Sequence, residues 1–261
     1  ISALDKKMPD AEKDVRAALA MISTQAMPEV SGFFREMARV FPTPEAQLRF
    51  LAASKPSAGF SEQVSMAMAR LQTETRDEAA AGWTAIEKLG ETAQNTGVRA
   101  LALKMLGSRA YSARDYAAAA QFWERGLKDE PNDADMLNNL GYTLSKFLSR
   151  HEDGLKHVER AVEIAPQNPG YWDSLGAVLL ALNKLDRAER ALRQALNIST
   201  DAMSRTIAQI HLAELHLRNG NRRDADDLFQ TAERMIGSDP QVAAAYGEEF
   251  ERLRRLMRGG N

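Results

Sequence analysis

The stretch LNNLGYTLSKFLSRHEDGLKHVERAVEIAPQNPGYWDSLGAVLLAL, residues 137–182, contains the pair Leu-Gly twice, at 140–141 and again at 175–176. The same pair occurs at 106–107, and Leu212-Ala213 is a looser fourth copy. Each copy is followed by a second small residue and then a large apolar one: Ala119 and Trp123, Gly154 and Val158, Ala188 and Leu192, Ala225 and Phe229. A period of about 34 residues indicates stacked units, because a single helical hairpin cannot bury its apolar face alone.

The recurring small residues predict close contacts between helices. Glycine in a helix interior costs about 1 kcal/mol relative to alanine, so its repetition needs a compensating contact. We expect Gly107, Gly141 and Gly176 to let a neighbouring helix approach closely, while the large apolar residues fill the space left between the helices.

This pattern resembles the tetratricopeptide repeat, whose consensus is W-x2-L-G-x2-Y followed by Ala, Phe, Ala and Pro at set offsets. The matches in two of the units are Trp172, Leu175, Gly176, Ala188 and Ala195, and Leu106, Gly107, Ala119, Trp123 and Pro131. The tyrosine position departs from the consensus, being Ala110, Leu144, Leu179 and His216. The resemblance implies an all-α chain, a right-handed α-solenoid of helical hairpins whose first helices line a concave groove.

The chain divides into a series of expected regions. They are an N-terminal helical region at 1–59, with helices at 10–26, 29–40 and 45–53; a degenerate repeat-like hairpin at 60–99; four repeat units at 100–133, 134–168, 169–202 and 206–239; and a C-terminal capping helix and tail at 240–261. In the degenerate hairpin, Ala67, Ala79 and Trp83 are aligned with Gly107, Ala119 and Trp123. The second unit has one extra residue, which we place in the turn near Ser149-Arg150-His151.

The last region of the sequence, residues 240–261, is predicted to contain a capping helix. An apolar stripe of Val242, Tyr246, Phe250, Leu253 and Met257 lies opposite Glu248, Glu251, Arg252 and Arg255. We expect the apolar face of this helix to cover the last unit and its charged face to meet solvent.

The resemblance also implies where a partner binds, since such repeats usually hold peptide segments or helices of other proteins in the groove. Aligning the units gives the expected partner-binding residues: Leu101, Lys104, Ser108 and Tyr111; Asp135, Asn138, Tyr142 and Ser145; Asp173, Ala177 and Leu180; Ile207, Ile210, Glu214 and Leu217. One subclass of the family grips a C-terminal carboxylate with five Lys, Asn and Arg side chains. Lys104 and Asn139 match this set, whereas Ser108, Gly170 and Ser174 do not, so we reject such a clamp.

Composition argues against several other classes. The 34 basic and 36 acidic residues give a net charge of -2, which disfavours a nucleic-acid or polybasic membrane surface. With no cysteine, thiolate chemistry and disulfides are excluded. The four histidines, His151, His157, His211 and His216, do not form an i, i+4 metal pair. We therefore expect no catalytic residue, metal or cofactor, and no helix that enters a membrane in this chain.

Three functions remain open. The leading one is a non-enzymatic scaffold or adaptor that binds another protein; the alternatives are a self-assembling structural protein and the non-catalytic domain of a larger enzyme. Because the chain begins at Ile1 and not at methionine, we expect it to be a segment of a longer protein. The sequence resembles bacterial repeat proteins that are often exported or envelope-associated, and it fits a location in the bacterial envelope, the periplasm or the cytoplasm.

Overall fold

The computed structural model describes residues 41, 43–53 and 61–259, which contain twelve α-helices and no β-strand. The helices are α1 (Pro44–Ala53), α2 (Ser61–Glu74), α3 (Ala79–Thr92), α4 (Thr96–Ser112), α5 (Tyr116–Asp129), α6 (Ala134–Lys146), α7 (His151–Ile164), α8 (Pro169–Ala181), α9 (Leu185–Ile198), α10 (Ala202–Arg218), α11 (Arg222–Ser238) and α12 (Pro240–Met257). The all-α class is confirmed, and α1 corresponds to the helix expected at 45–53. The helices expected at 10–26 and 29–40 lie outside the described residues.

The chain forms two compact units. The first comprises residues 1–113 together with 128–131, and the second comprises residues 114–127 and 132–261. In the described part of the first unit, α1 packs on α2, and α2 and α3 form a hairpin that continues onto α4. In the second unit, the hairpins α6–α7, α8–α9 and α10–α11 are stacked in sequence, and α12 packs on the last of them.

Polar residues begin the first helix of each hairpin. The side chains of Asn95, Asp133, Asn168 and Asp201 each accept a hydrogen bond from a backbone N–H in the first turn of the following helix. These caps satisfy donors that have no partner within the helix. They also set the starts of α4 at Thr96 and of α10 at Ala202, four residues before the units expected to begin at 100 and 206.

The N-cap residue of α6, Asp133, is the subject of a first testable prediction. Replacing Asp133 with alanine removes the 2.9 Å hydrogen bond from the backbone N–H of Met136, so the free energy of unfolding should fall by about 1 kcal/mol. Urea denaturation followed by circular dichroism measures this change. The Asp133→Ser variant retains a capping oxygen and is the control; an equal loss in both variants would argue against the cap.

The turns inside the hairpins follow one design. Arg114, Ser149, Asn183 and Gly220 all adopt positive φ, at 63°, 57°, 55° and 75°, in the turn between the first and second helix. Three of these turns have three residues, whereas the turn between α6 and α7 has four, residues 147–150. The extra residue of the second repeat therefore lies where the sequence predicts it, in a turn that absorbs it without disturbing either helix.

Small residues allow the helices of a hairpin to touch. A Cβ added to Gly141 would lie 2.7 Å from the carbonyl oxygen of Gly154 and 2.9 Å from the backbone nitrogen of Val158. A Cβ on Gly176 would lie 2.4 Å from the side chain of Leu192. Both glycines are thus in tight helix contacts, as the repeat pattern predicts, and Gly107 is buried.

The degenerate hairpin has the same contact in a different register. A Cβ added to Gly82 would lie 2.6 Å from the carbonyl oxygen of Ala69. In the α6–α7 hairpin, a Cβ added to Gly154 would likewise lie 2.5 Å from the carbonyl oxygen of Gly141. Ala69 and Gly82 therefore occupy the places that the sequence alignment gave to Ala67 and Ala79. The alignment followed the large aromatic Trp83, but Trp83 is only half-buried beneath the Arg109 guanidinium, 4.6 Å from its ring centre. The large buried residue is Ile86.

The second unit has two clusters of buried apolar side chains. The larger one runs through α7, α8 and α9 and includes Val158, Leu179 and Leu192. The smaller one joins α10 and α11 to α12 through Ile210, Phe250 and Leu253, with the ring of Phe229 stacked 5.0 Å from that of Phe250. Four residues of the predicted apolar stripe of α12, Val242, Phe250, Leu253 and Met257, are buried, and Tyr246 is half-buried. Arg252 is the exception on the opposite side, because it turns inward to an acid on α10.

Candidate protein-interaction surface

The helices α6, α8 and α10 form one face of the second unit, which we name the first-helix face, and α12 packs against α10. Each helix is joined to the next by an acid and a hydrogen-bond donor. The three pairs are Asp135 with the hydroxyl of Tyr171 at 2.5 Å, Asp173 with Nδ1 of His211 at 2.9 Å, and Glu214 with the guanidinium of Arg252. The acids all lie at positions expected to face the groove, and here they connect successive repeats.

Glu214 is the most strongly constrained of these acids. Its carboxylate accepts hydrogen bonds from Arg218, at 2.6 Å, and from Arg252, while only 4% of its side chain is exposed. Burial by itself raises the pKa of Glu214, but the hydrogen bond and charge of Arg252, with the charge of Arg218, outweigh burial and hold the pKa at about 2. The carboxylate is therefore ionised and fixes α12 against α10.

The polar side of α12 also makes contacts beyond α10. Glu248 accepts a 2.5 Å hydrogen bond from Arg114 in the turn before α5, and both side chains are exposed. Burial lowers the pKa of Lys146, at the end of α6, and the positive charge of Arg252 lowers it further. The acids that oppose this shift are Glu249, Glu214 and Asp173. Lys146 itself remains accessible to solvent. The effects of Arg252 and Glu249 on its pKa mean that α12 lies within electrostatic range of Lys146, although Lys146 belongs to a hairpin two places earlier.

Helix α6 carries an accessible row of recognition groups on this face. Asn138, Tyr142 and Lys146 are spaced four residues apart, which places them along one side of the helix. The Lys146 ammonium lies 5.9 Å from the centre of the Tyr142 ring, and Phe147 meets that ring edge-on. The side-chain oxygen of Asn138 is buried without a hydrogen-bond partner, although its amide nitrogen donates to Asn139.

Several of the expected partner-binding residues are instead interior. Ser145 is buried and pairs with His151 Nδ1 at 3.0 Å, so it faces the second helix of its own hairpin. Leu180, Ile207 and Ile210 are buried apolar residues, and Asp173 and Glu214 are buried in the pairs described above. This burial removes these side chains from the accessible surface, because the next first helix covers positions that the alignment left open. Asp135 stays exposed, while Ala177 and Leu217 are half-buried.

The remaining expected residues lie on α4 in the first unit. Leu101, Lys104 and Tyr111 are half-buried, and Ser108 is exposed with its hydroxyl donating to the carbonyl oxygen of Lys104 at 3.1 Å. Their role in binding stays a prediction.

Sequence reasoning missed four residues of the surface: Arg114, Lys146, Tyr246 and Arg252. Burial raises the pKa of Tyr246, and the charge of Asp173 adds to the effect, so this tyrosine of α12 also lies towards the first-helix face. Only Lys146 had a signal in the sequence, since it follows Asn138 and Tyr142 at the same four-residue spacing. The other three come from a turn and from the cap, which an alignment of repeats does not score.

Two kinds of feature are absent from the part of the chain that the structure describes. Within residues 41, 43–53 and 61–259 there is no cluster of three or more His, Asp or Glu side chains able to hold a metal ion. Over the same residues, no helix combines the length and apolar character needed to span a bilayer.

The stacked hairpins, their tight small-residue contacts and their shared turn geometry define a helical-repeat protein. Residues 132–201 match the family model of the tetratricopeptide repeat, so this part of the chain consists of tetratricopeptide repeats. A segment of 67 residues is 40% identical to TPR repeat-containing protein PA4667 of Pseudomonas aeruginosa, covering 26% of this chain and 11% of that protein. The chain therefore spans only a small part of that relative's length.

Solved structures agree on the fold. Residues 41 to the end of MamA from Desulfovibrio magneticus RS-1 superpose with a TM-score of 0.56 at 17% identity, covering 68% of this chain and 96% of that one. YrrB, described as a TPR protein with an unusual peptide-binding site, superposes with a TM-score of 0.54 at 19% identity, covering 70% of this chain and 91% of that one. At these identities the likeness establishes the α-solenoid fold class, which is the class expected from the sequence.

Proposed function

We propose that the chain is a non-enzymatic scaffold that binds a peptide segment or helix of another protein on the first-helix face of its second unit. The observation that carries this proposal is the row Asn138, Tyr142 and Lys146 on α6. It combines a half-buried amide, a half-exposed aromatic ring and an accessible cation. Mixed groups of this kind are typical of recognition surfaces.

Each member of the row has a distinct task in this proposal. The half-buried side chain of Asn138, whose amide nitrogen donates to Asn139, supplies a polar contact at the start of the row. The Tyr142 ring supplies apolar contact area at a small loss of side-chain entropy. Lys146 attracts an acidic ligand side chain, and its lowered pKa reflects the partly desolvated surroundings in which such a pair gains strength.

The row on α4, with Leu101, Lys104, Ser108 and Tyr111, is a second proposed contact region, in the first unit. We expect an internal segment or a helix as the ligand and not a free carboxyl terminus, because Ser108, Gly170 and Ser174 do not provide the donors that a terminal carboxylate needs. The peptide-binding site ascribed to YrrB supports a peptide-like ligand for this fold.

Selection from a random peptide library tests the proposal. A phage-displayed library of 16-residue peptides is selected on the purified chain, and the enriched peptides are measured against variants by fluorescence anisotropy. Tyr142→Ala and Lys146→Glu should each weaken binding by roughly tenfold, equal to about 1.4 kcal/mol.

The matched control is Glu163→Lys, a charge reversal at an exposed residue of the second helix α7. It should leave binding unchanged, and all three variants should keep the circular dichroism spectrum of the parent chain. Enriched peptides that bind Tyr142→Ala and Lys146→Glu as well as the parent, or a selection that enriches no peptide, would contradict the proposal.

A further inference from the structure

We infer that the first-helix face accepts an amphipathic helix with an arginine aligned to Glu214, and that α12 is its resident occupant, which a partner helix of the same pattern replaces. The inference rests on the proposed function, because it specifies the ligand of the same face. It follows from the contacts of α12, the charges beneath that helix and the weakness of its first half.

The contacts of α12 are those of a ligand helix. Phe250, Leu253 and Met257 are buried in one cluster with Ile210 and Ala213 of α10, while Arg252 projects beside them to Glu214. Recognition of a helix through anchors at i, i+3 and i+7 is a recurring mode of protein binding. The polar edge of α12 extends over the face towards α6, as the Arg114–Glu248 pair and the effect of Arg252 on Lys146 demonstrate.

The charges beneath α12 specify an arginine in any replacement. When α12 leaves, Glu214 keeps Arg218 but loses Arg252. A helix that brings a guanidinium to the Arg252 position recovers the lost charge-assisted hydrogen bond to Glu214. A helix with glutamate at that position would place two carboxylates together and be rejected.

The first half of α12 is weakly held. It contains Ala243, Ala244, Ala245 and Gly247, of which none is buried, and Val242 is its single buried side chain. A Cβ added to Gly247 would meet no atom within 4 Å, so packing does not require glycine there and its cost to the helix is uncompensated. Only Asp239 separates α12 from α11. Because most helical stability in proteins comes from tertiary packing, α12 should lose helix content when it is released.

The test uses a fluorescein-labelled peptide of residues 240–258 and the full chain, measured by fluorescence anisotropy. Arg252→Ala in the chain loosens α12 and should tighten peptide binding by about fivefold or more. Gly247→Ala strengthens the docked helix and should weaken peptide binding by up to about fivefold. Gly237→Ala is the matched control: its added Cβ also meets nothing within 4 Å, but it lies in α11, so binding should stay within about twofold of the parent.

A second peptide with Arg252→Glu should not bind any of these chains. Equal affinity across the variants, or binding of the Glu peptide, would overturn the inference. If the 240–258 peptide fails to bind while library peptides still bind through Tyr142 and Lys146, the inference falls and the proposed function stands; if neither binds, both fall. If light scattering detects a dimer of the parent chain that the peptide dissociates, the occupant is a second copy's α12 and not a foreign helix.

Discussion

The Gly141→Ala substitution is expected to lower the free energy of unfolding by about 3 kcal/mol, the upper end of the range for overpacking a core. The new methyl group would lie 2.7 Å from the carbonyl oxygen of Gly154 and 2.9 Å from the backbone nitrogen of Val158. Both are main-chain atoms, so relief requires α6 and α7 to move apart and not a rotation of a side chain. Guanidinium denaturation followed by far-ultraviolet circular dichroism measures the loss.

The same substitution elsewhere is the control. Gly247→Ala adds a methyl group where no atom lies within 4 Å and should raise the free energy of unfolding by up to about 1 kcal/mol. The two variants make the same chemical change in two helices of the second unit, and their effects should have opposite signs. A Gly141→Ala chain as stable as the parent would show that the hairpin is not held by this close approach.

Acid should destabilise the chain through Glu214. The folded pKa of about 2 lies below the ordinary value of 4.5, so the native state holds this carboxylate ionised more strongly than the unfolded state does. The resulting stability is fully present above about pH 4.5 and is lost as the pH falls through about 2. The shift corresponds to a contribution of up to about 3 kcal/mol at neutral pH.

Glu214→Gln isolates this contribution. The free energies of unfolding of the parent and the variant, measured by urea denaturation at a series of pH values, should differ most above pH 4.5 and converge as the pH approaches 2. Glu163→Gln changes an exposed carboxylate on α7 and should leave the pH profile unchanged to within about 0.5 kcal/mol. A difference that stays constant from neutral pH to pH 2 would mean that the Arg252 pair does not depress the pKa of Glu214.

The hairpins were open to prediction because their packing is local. Gly141 and Gly154 lie 13 positions apart in the sequence and touch in the fold, so a repeat of small residues indicates a repeat of contacts. In the degenerate hairpin the predicted alignment was wrong, because it followed Trp83, which lies near the surface beneath Arg109. The small residues in contact there, Ala69 and Gly82, carry no side chain that stands out in the sequence.

The interaction surface was less predictable because its pairs cross from one repeat to the next. Asp173 meets His211 and Glu214 meets Arg252, each 38 positions along the chain, a spacing that differs from the repeat length. An alignment of the repeats therefore does not show that Asp173 and Glu214, which are expected to face the groove, have hydrogen-bond partners in the fold. The sequence pattern of α12 predicts which of its faces is buried, but not that Arg252 turns inward to Glu214.

Electron paramagnetic resonance can measure directly whether α12 lies over the first-helix face. The chain has no cysteine, so nitroxide labels at Arg114→Cys and Glu248→Cys report on one pair of sites only. Their side chains meet at 2.5 Å in the fold and are largely exposed, so labelling should leave the helices intact. We expect strong dipolar broadening in the free chain and its loss when excess 240–258 peptide displaces α12. Spectra without broadening in the free chain would show that α12 does not lie close to Arg114.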